Sequence, residues 1–230
     1  MIGRILGSPI GSGNAGGYIL SGHIAYRVDA SLEVTRSGVD VSGWGDQSDG
    51  NRDASQGTGS LQPDFVSGAV NGLPAIKGDS VDDFMALSSS LIINNDFAVF
   101  AVVGDHVGPQ YMFGHSSTIY TRILNASTTW RNSTVHSFDH SNKLCTTAYM
   151  LHHIARFSGQ VRSYRNNLES LTGAIANAVQ YAIAYLFSYG AANYGYGGLA
   201  ELIILDGTIV PADITYLVNL LNTKYNLGIT

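Results

Sequence analysis

Apolar positions in this chain come in short runs broken by clusters of Gly, Ser, Asn and Asp, the punctuation of a strand-rich fold. Residues 97–103 are apolar at every position, with Asn94-Asn95-Asp96 before them and Gly104-Asp105 after. That pattern predicts a central strand buried on both faces. Residues 199–206 predict a second such strand. Residues 23–29 alternate and turn at Asp29-Ala30-Ser31. Shorter strands are predicted at 39–41, 75–77, 83–87, 111–113, 117–124, 128–133 and 135–138. Residues 148–157 and 161–164 form a hairpin across Ser158-Gly159-Gln160. The stretch 171–186 has a helix-compatible composition that Gly173 interrupts, and both assignments stay open. The period then changes. Leu217, Leu220, Leu221 and Tyr225 fall at helical spacing behind Pro211 and Asp213, and Gly228 is placed to end a C-terminal helix.

The stretch 42–87 is too rich in Gly, Ser, Asp and Pro for a helix, and its large apolar residues are spaced like pegs. Trp44, Leu73 and Phe84 are expected to enter the core. Between them lies an acidic run whose chemistry is either that of turns or that of a site.

Only 13% of residues are charged, while hydroxyl and amide side chains are abundant, as suits a turn-rich β protein. The 230 residues suffice for one large domain, with residues 1–22 as a Gly-rich arm and 23–230 as the folded body. The arm reads either as a flexible segment or as an assembly segment, in which Ile2, Ile5, Leu6 and Ile10 are buried against a neighbouring subunit. The formal charge of −5 and the lack of a basic stripe exclude nucleic acid as the main partner. No apolar run reaches the roughly 18 residues of a membrane helix, and no signal-peptide pattern opens the chain. Cys145 is the single cysteine, so no internal disulfide is expected.

Several segments, taken in order, resemble the LamG-like, concanavalin A-type jelly-roll domains of bacterial surface proteins and bacteriophage virion and tail proteins. They are Val28-Asp29-Ala30-Ser31, Trp44-Gly45-Asp46-Gln47-Ser48 with Asp53-Ala54-Ser55-Gln56, and Asn71-Gly72-Leu73-Pro74-Ala75. Val81-Asp82-Asp83-Phe84, Val161 to Asn167, and Ala200-Glu201-Leu202-Ile203-Ile204-Leu205-Asp206 before the helix continue the similarity. The resemblance implies an all-β, two-sheet antiparallel jelly-roll sandwich, and it leaves activity open because such folds host lectins, hydrolases and structural proteins.

Candidate chemistry is sparse. Glutamate occurs only at positions 33, 169 and 201, with no alternating carboxylate cluster of the kind a retaining glycosidase places on one strand. Glu201 reads as a structural residue bonded to backbone amides. Asp82 and Asp83, if on a strand, face opposite ways. The histidines lack zinc-site spacing, and no serine sits in a Gly-x-Ser-x-Gly elbow. The oxygen-rich set Asp46, Asp49, Asn51 and Asp53 suits calcium, with Asx turns as the alternative explanation. Tyr189, Tyr194 and Tyr196 on a glycine-rich stretch, with Trp130 and Arg131, are the candidate carbohydrate-binding residues, and capping of the sandwich ends accounts for the same rings.

These readings lead to the expectation of a non-enzymatic virion structural or adhesion protein. It would be made in a host cytoplasm, dock to other virion subunits or to copies of itself, and bind host-surface polysaccharide. The alternative is a carbohydrate-binding module of a bacterial surface or secreted protein, with a glycoside hydrolase ranked third.

Overall fold

The computed structural model describes residues 18–105, 110–116, 119–124, 127–131, 137–141, 148–158, 160–166, 168–174, 181–190 and 192–229. Most of the arm, and Cys145, lie outside the described residues. In chain order the strands are β1 (His23–Asp29), β2 (Val34–Ser37), β3 (Asp40–Trp44), β4 (Ala54–Ser55), β5 (Asp64–Val70), β6 (Leu73–Asp79), β7 (Met85–Ile93) and β8 (Phe97–Gly104). Next come β9 (Gln110–Ser116), β10 (Ile119–Leu124), β11 (Ser127–Arg131), β12 (Ser137–Ser141), β13 (Met150–Phe157), β14 (Gln160–Arg165) and β15 (Leu168–Ala174). Then β16 (Tyr181–Leu186), β17 (Ser188–Tyr189), β18 (Ala192–Tyr194) and β19 (Tyr196–Asp206) precede the helix α1 (Pro211–Tyr225).

The chain is all-β and antiparallel with one C-terminal helix, as expected. Strands β15, β14, β13, β8 and β19 pair in that order, with β19 continuing to β1 along one half and to β6 and β5 along the other. A second run follows the order β2, β3, β4, β7, β16, β9, β10, β11, β12. The pair Asp40–Asp64, between β3 and β5, joins the two runs into one continuous sheet of 17 strands, where the sequence led us to expect two sheets. Within the stretch 171–186, residues 171–174 belong to β15 and residues 181–186 to β16, so the described parts of it are strand rather than helix.

The two strands of strongest apolar character pair with each other, and every residue of β8 is buried. Phe97, Val99, Ala101 and Val103 join Leu199, Leu202 and Ile204 in a core that draws on both runs of strands. Ala98, Phe100 and Val102 face the other way, with Ala200, Ile203 and Leu205, into a second core closed by Leu217, Val218, Leu221 and Tyr225 of α1. Double-sided burial is what keeps β8 free of polar side chains and leaves Glu201 as the exception between Leu199 and Leu205 of β19.

Pro211 starts the helix, and Asp213 holds its first turn by accepting from the N–H of Val210 (3.1 Å), the N–H of Ser21 (2.9 Å) and the Tyr18 hydroxyl (2.8 Å). Termination falls to Asn226 rather than Gly228. Asn226 takes a left-handed conformation (φ 47°) and returns its N–H to the Asn222 carbonyl.

A one-residue irregularity in the β19–β8 ladder, between Leu199 and Glu201, resets the phase of β19. Ala200 is the extra residue, and Glu201 therefore faces the helix, beside Asp29 across the β1–β19 ladder. Its carboxylate accepts from Arg27 Nε (3.0 Å), Lys224 Nζ (2.6 Å) and Tyr225 Oη (3.1 Å). Lys224 also contacts the carboxylate of Asp29. The expectation that Glu201 bonds backbone amides is thus corrected: its partners are side chains, and the group anchors α1 to the sheet.

On the helix-facing side of β13, the buried ring of His153 is stacked between Phe100 (centroids 5.4 Å apart, planes 6°) and Tyr164 (4.5 Å, 10°). Neither ring nitrogen has a hydrogen-bond partner, and burial pushes its pKa down to about 3. The unfolded chain therefore takes up a proton near pH 6.5 that the folded chain refuses. The stabilising contribution of neutral His153 is complete above that pH and is lost as the pH falls toward 3. At pH 5 the expected loss is about 2 kcal/mol. A His153→Phe variant should lose correspondingly less stability than the wild type between pH 7 and pH 5 in urea titrations. Parallel losses would show that the ring is not held neutral.

Candidate functional site

The stretch 42–87 is pinned mainly by Trp44, whose ring is 1% exposed and whose Nε1 donates to the Asp29 carbonyl (3.0 Å). Leu73 and Phe84, expected as core pegs, are only half-buried. In the acidic run, the buried Asp46 carboxylate accepts from the N–H groups of Arg27 (3.0 Å) and Ser48 (2.9 Å) through Oδ1 and of Arg52 (2.9 Å) through Oδ2. Asp53 Oδ1 accepts from the Asp46 N–H (2.9 Å), and the Asn51 amide donates to the Asp49 carbonyl (3.0 Å). This is Asx chemistry, in which short polar side chains bond nearby backbone.

Besides the Asp29–Glu201 pair, the carboxylates of Asp79, Asp82 and Asp83 converge as a group of three, with oxygens within 4.8 Å of one another. Asp82 and Asp83 were expected to diverge on a strand. They lie instead in the turn between β6 and β7, where Ser80 is left-handed (φ 70°) and adjacent side chains can curl to one side. Asp79 Oδ1 accepts from the N–H of Val81 (2.7 Å), and Asp83 Oδ2 from that of Asp79 (3.0 Å). Burial, and then the charge of Asp79, pushes the Asp83 carboxyl up to about 7. Next in sequence, Phe84 packs against Tyr185 and Tyr194, each with its centroid 6.1 Å away.

The candidate tyrosines make different ring contacts. Tyr194 joins that aromatic group, and Tyr189 meets Tyr111 edge-on (4.5 Å, 75°). Tyr196 lies under the ammonium group of Lys77, 4.5 Å from its ring centre. Trp130 and Arg131 lie on β11 opposite Thr121 and Tyr120 of β10, and of these two residues only the backbone is described.

Lys77 leads to a cleft of about 430 Å³ whose lining includes Lys77, Asp105, Tyr149, Asn71 and Asn226. Its formation rests on a glycine pair. Gly104 and Gly198 face each other across the β8–β19 ladder, and the half-buried Tyr149 ring lies over both. A Cβ on Gly198 would come 1.8 Å from the Tyr149 hydroxyl, and one on Gly104 2.5 Å from its ring, so any side chain there would evict the ring. Lys77 is ion-paired and hydrogen-bonded to Asp105. Burial works against the lysine's charge, but the contacts with Asp105 and Tyr196 outweigh it and raise its pKa. Burial, and then Asp105, also raises the pKa of the Tyr149 hydroxyl, which stays protonated. Asn71 donates from its amide to the carbonyls of Tyr225 (2.6 Å) and Asn226 (3.1 Å), tying the β5–β6 turn to the end of α1. The cleft thus combines an aromatic ring, a coupled donor and acceptor, and amide groups, in the size range of small-ligand sites.

No protein-family model matches the chain, and no curated protein sequence matches it. Solved structures do. A Trypanosoma rangeli sialidase in complex with the inhibitor DANA superposes with a TM-score of 0.58 at 11% identity, over 93% of this chain and 36% of the sialidase. A GH54 α-L-arabinofuranosidase soaked with a cyclic sulfate inhibitor superposes with a TM-score of 0.50 at 12% identity, over 88% of this chain and 60% of that one. The chain spans about a third of the sialidase's length, and at these identities the similarity is one of fold. The expectation that the protein is not an enzyme is overturned, because these neighbours in fold are glycoside hydrolases and Asp82 and Asp83, expected to face opposite ways, converge with Asp79. The expected virion role draws no support from these neighbours, which are carbohydrate-active proteins.

Proposed function

We propose that this chain is a glycan-recognition domain of jelly-roll type, its two runs of strands forming the two layers of a LamG-like sandwich, and that the Tyr149 cleft is its binding site. The observation that carries this reading is the Tyr149 ring laid over the Gly104–Gly198 pair beside the Lys77–Asp105 contact. Sugar rings present an apolar C–H face for an aromatic ring and a rim of hydroxyls that both donate and accept, which is what the cleft complements. The carbohydrate-active neighbours support it as kin in fold. In this reading the chain serves as the carbohydrate-binding module of a bacterial surface or secreted protein.

The test is a glycan array followed by calorimetry. Binding should appear in the wild type and fall at least about tenfold in a Tyr149→Leu variant, which keeps apolar bulk and removes the ring. Unchanged binding in that variant would move the site elsewhere, and a blank array would remove the function.

A second reading is favoured by one observation. Carboxylates as close as Asp79, Asp82 and Asp83 are spaced like the roughly 5 Å pair of a retaining glycosidase, and Asp83 is poised to hold a proton near neutral pH. Release of reducing ends from polysaccharide, abolished by Asp83→Asn, would establish hydrolysis there. No release across a broad panel would leave recognition alone.

A further inference from the structure

We infer that the Tyr149 cleft selects neutral saccharides and discriminates against sugars bearing a carboxylate. The inference rests on the glycan-recognition reading and specifies its ligand class. Of the described residues that line the cleft, Lys77 is the cation, and its charge is already met by Asp105. Asp105 is 39% exposed against 24% for Lys77, so an anion that reaches the ammonium group also meets the carboxylate beside it. A second part of the lining adds to the same sign of potential. Helix α1 ends at Tyr225, and Asn226 and Leu227, immediately beyond it, line the cleft. The last carbonyls of a helix carry its partial negative charge. An anionic sugar would therefore meet a neutralised lysine, a carboxylate and a helix C-terminus.

A neutral sugar meets the same groups without penalty. Two neighbouring hydroxyls can accept from the Lys77 ammonium and donate to the Asp105 carboxylate, bridging a pair that already lies in contact. The C–H face of the ring then lies against Tyr149. No rearrangement of the pair is required, and both partners keep their charge compensation.

Calorimetry on the intact chain, with neutral oligosaccharides and the same oligosaccharides capped by sialic acid or hexuronic acid, tests this. Neutral forms should bind, and capped forms should bind about tenfold more weakly or worse, as expected of like charges brought to contact distance in a partly solvated site. Asp105→Asn should close much of that gap, because it leaves Lys77 uncompensated. Asn suits the left-handed backbone at this position (φ 55°), so the variant should keep its fold. Equal or tighter binding of the capped forms by the wild type would overturn the selectivity and leave glycan recognition standing. A gap unchanged in Asp105→Asn would overturn the assigned cause. Binding of neither class would overturn the recognition reading, and this inference with it.

Discussion

A Glu201→Ala variant should lose about 3–5 kcal/mol of unfolding free energy, the cost of breaking a buried ion pair by removing one partner. Glu201 is 1% exposed and faces two cations, Arg27 (2.9 Å) and Lys224 (2.6 Å), with the Tyr225 hydroxyl as a third donor. With Asp29 the group holds two positive and two negative charges. Deleting Glu201 leaves both cations facing one carboxylate in a site largely closed to water. Lys224 is 27% exposed, so Lys224→Ala should cost clearly less, because solvent can enter from its side. Urea midpoints give the energies. Hydrogen exchange gives the location: in Glu201→Ala the amides of α1 should exchange faster than those of β8. A loss below about 1 kcal/mol, or uniform exchange, would mean that apolar packing alone holds the helix.

The residues of this group show where sequence reasoning succeeds and where it stops. Strands β8 and β19 were legible because burial on two faces leaves a run that is apolar throughout in β8 and broken between Leu199 and Leu205 only by Glu201 in β19, and α1 because its buried positions recur at helical spacing. The orientation of Glu201 was not legible. It depends on Ala200 being an extra residue in one ladder, and a period-two pattern carries no mark of that shift. Asp82 and Asp83 were misplaced for a related reason: the alternation argument holds only for extended backbone, and both lie in a turn. The cleft was missed because Lys77, Asp105 and Tyr149 are far apart in sequence and meet only through the β6–β19–β8–β13 pairing. One signal was present. Gly104 and Gly198 stand at the ends of the two strongest strands, and small residues there leave room for a close approach by another group. The hydrogen bonds of the acidic run 46–53 were not legible, since calcium ligation and Asx turns draw on the same residue types.

Trp44 should be the other most costly single position, with Trp44→Ala losing about 3–5 kcal/mol through the cavity left in the main core. A near-wild-type melt would show that this core can collapse around the missing ring. The more discriminating experiment concerns coupling. Trp44 Nε1 donates to the carbonyl of Asp29, and the carboxylate of the same residue contacts Lys224 and lies 3.7 Å from Arg27. One residue therefore links the peg of the 42–87 stretch to the charged anchor of the helix. Trp44→Phe keeps most of the ring and leaves the carbonyl without its donor, while Glu201→Gln keeps shape and removes charge. If Asp29 transmits between them, the double variant should depart from additivity by about 0.5 kcal/mol or more, as residues in one bonded network do. Additivity within about 0.3 kcal/mol would show that the backbone at Asp29 is fixed by the β1–β19 ladder whether or not either neighbour is present, and that core and helix are held independently.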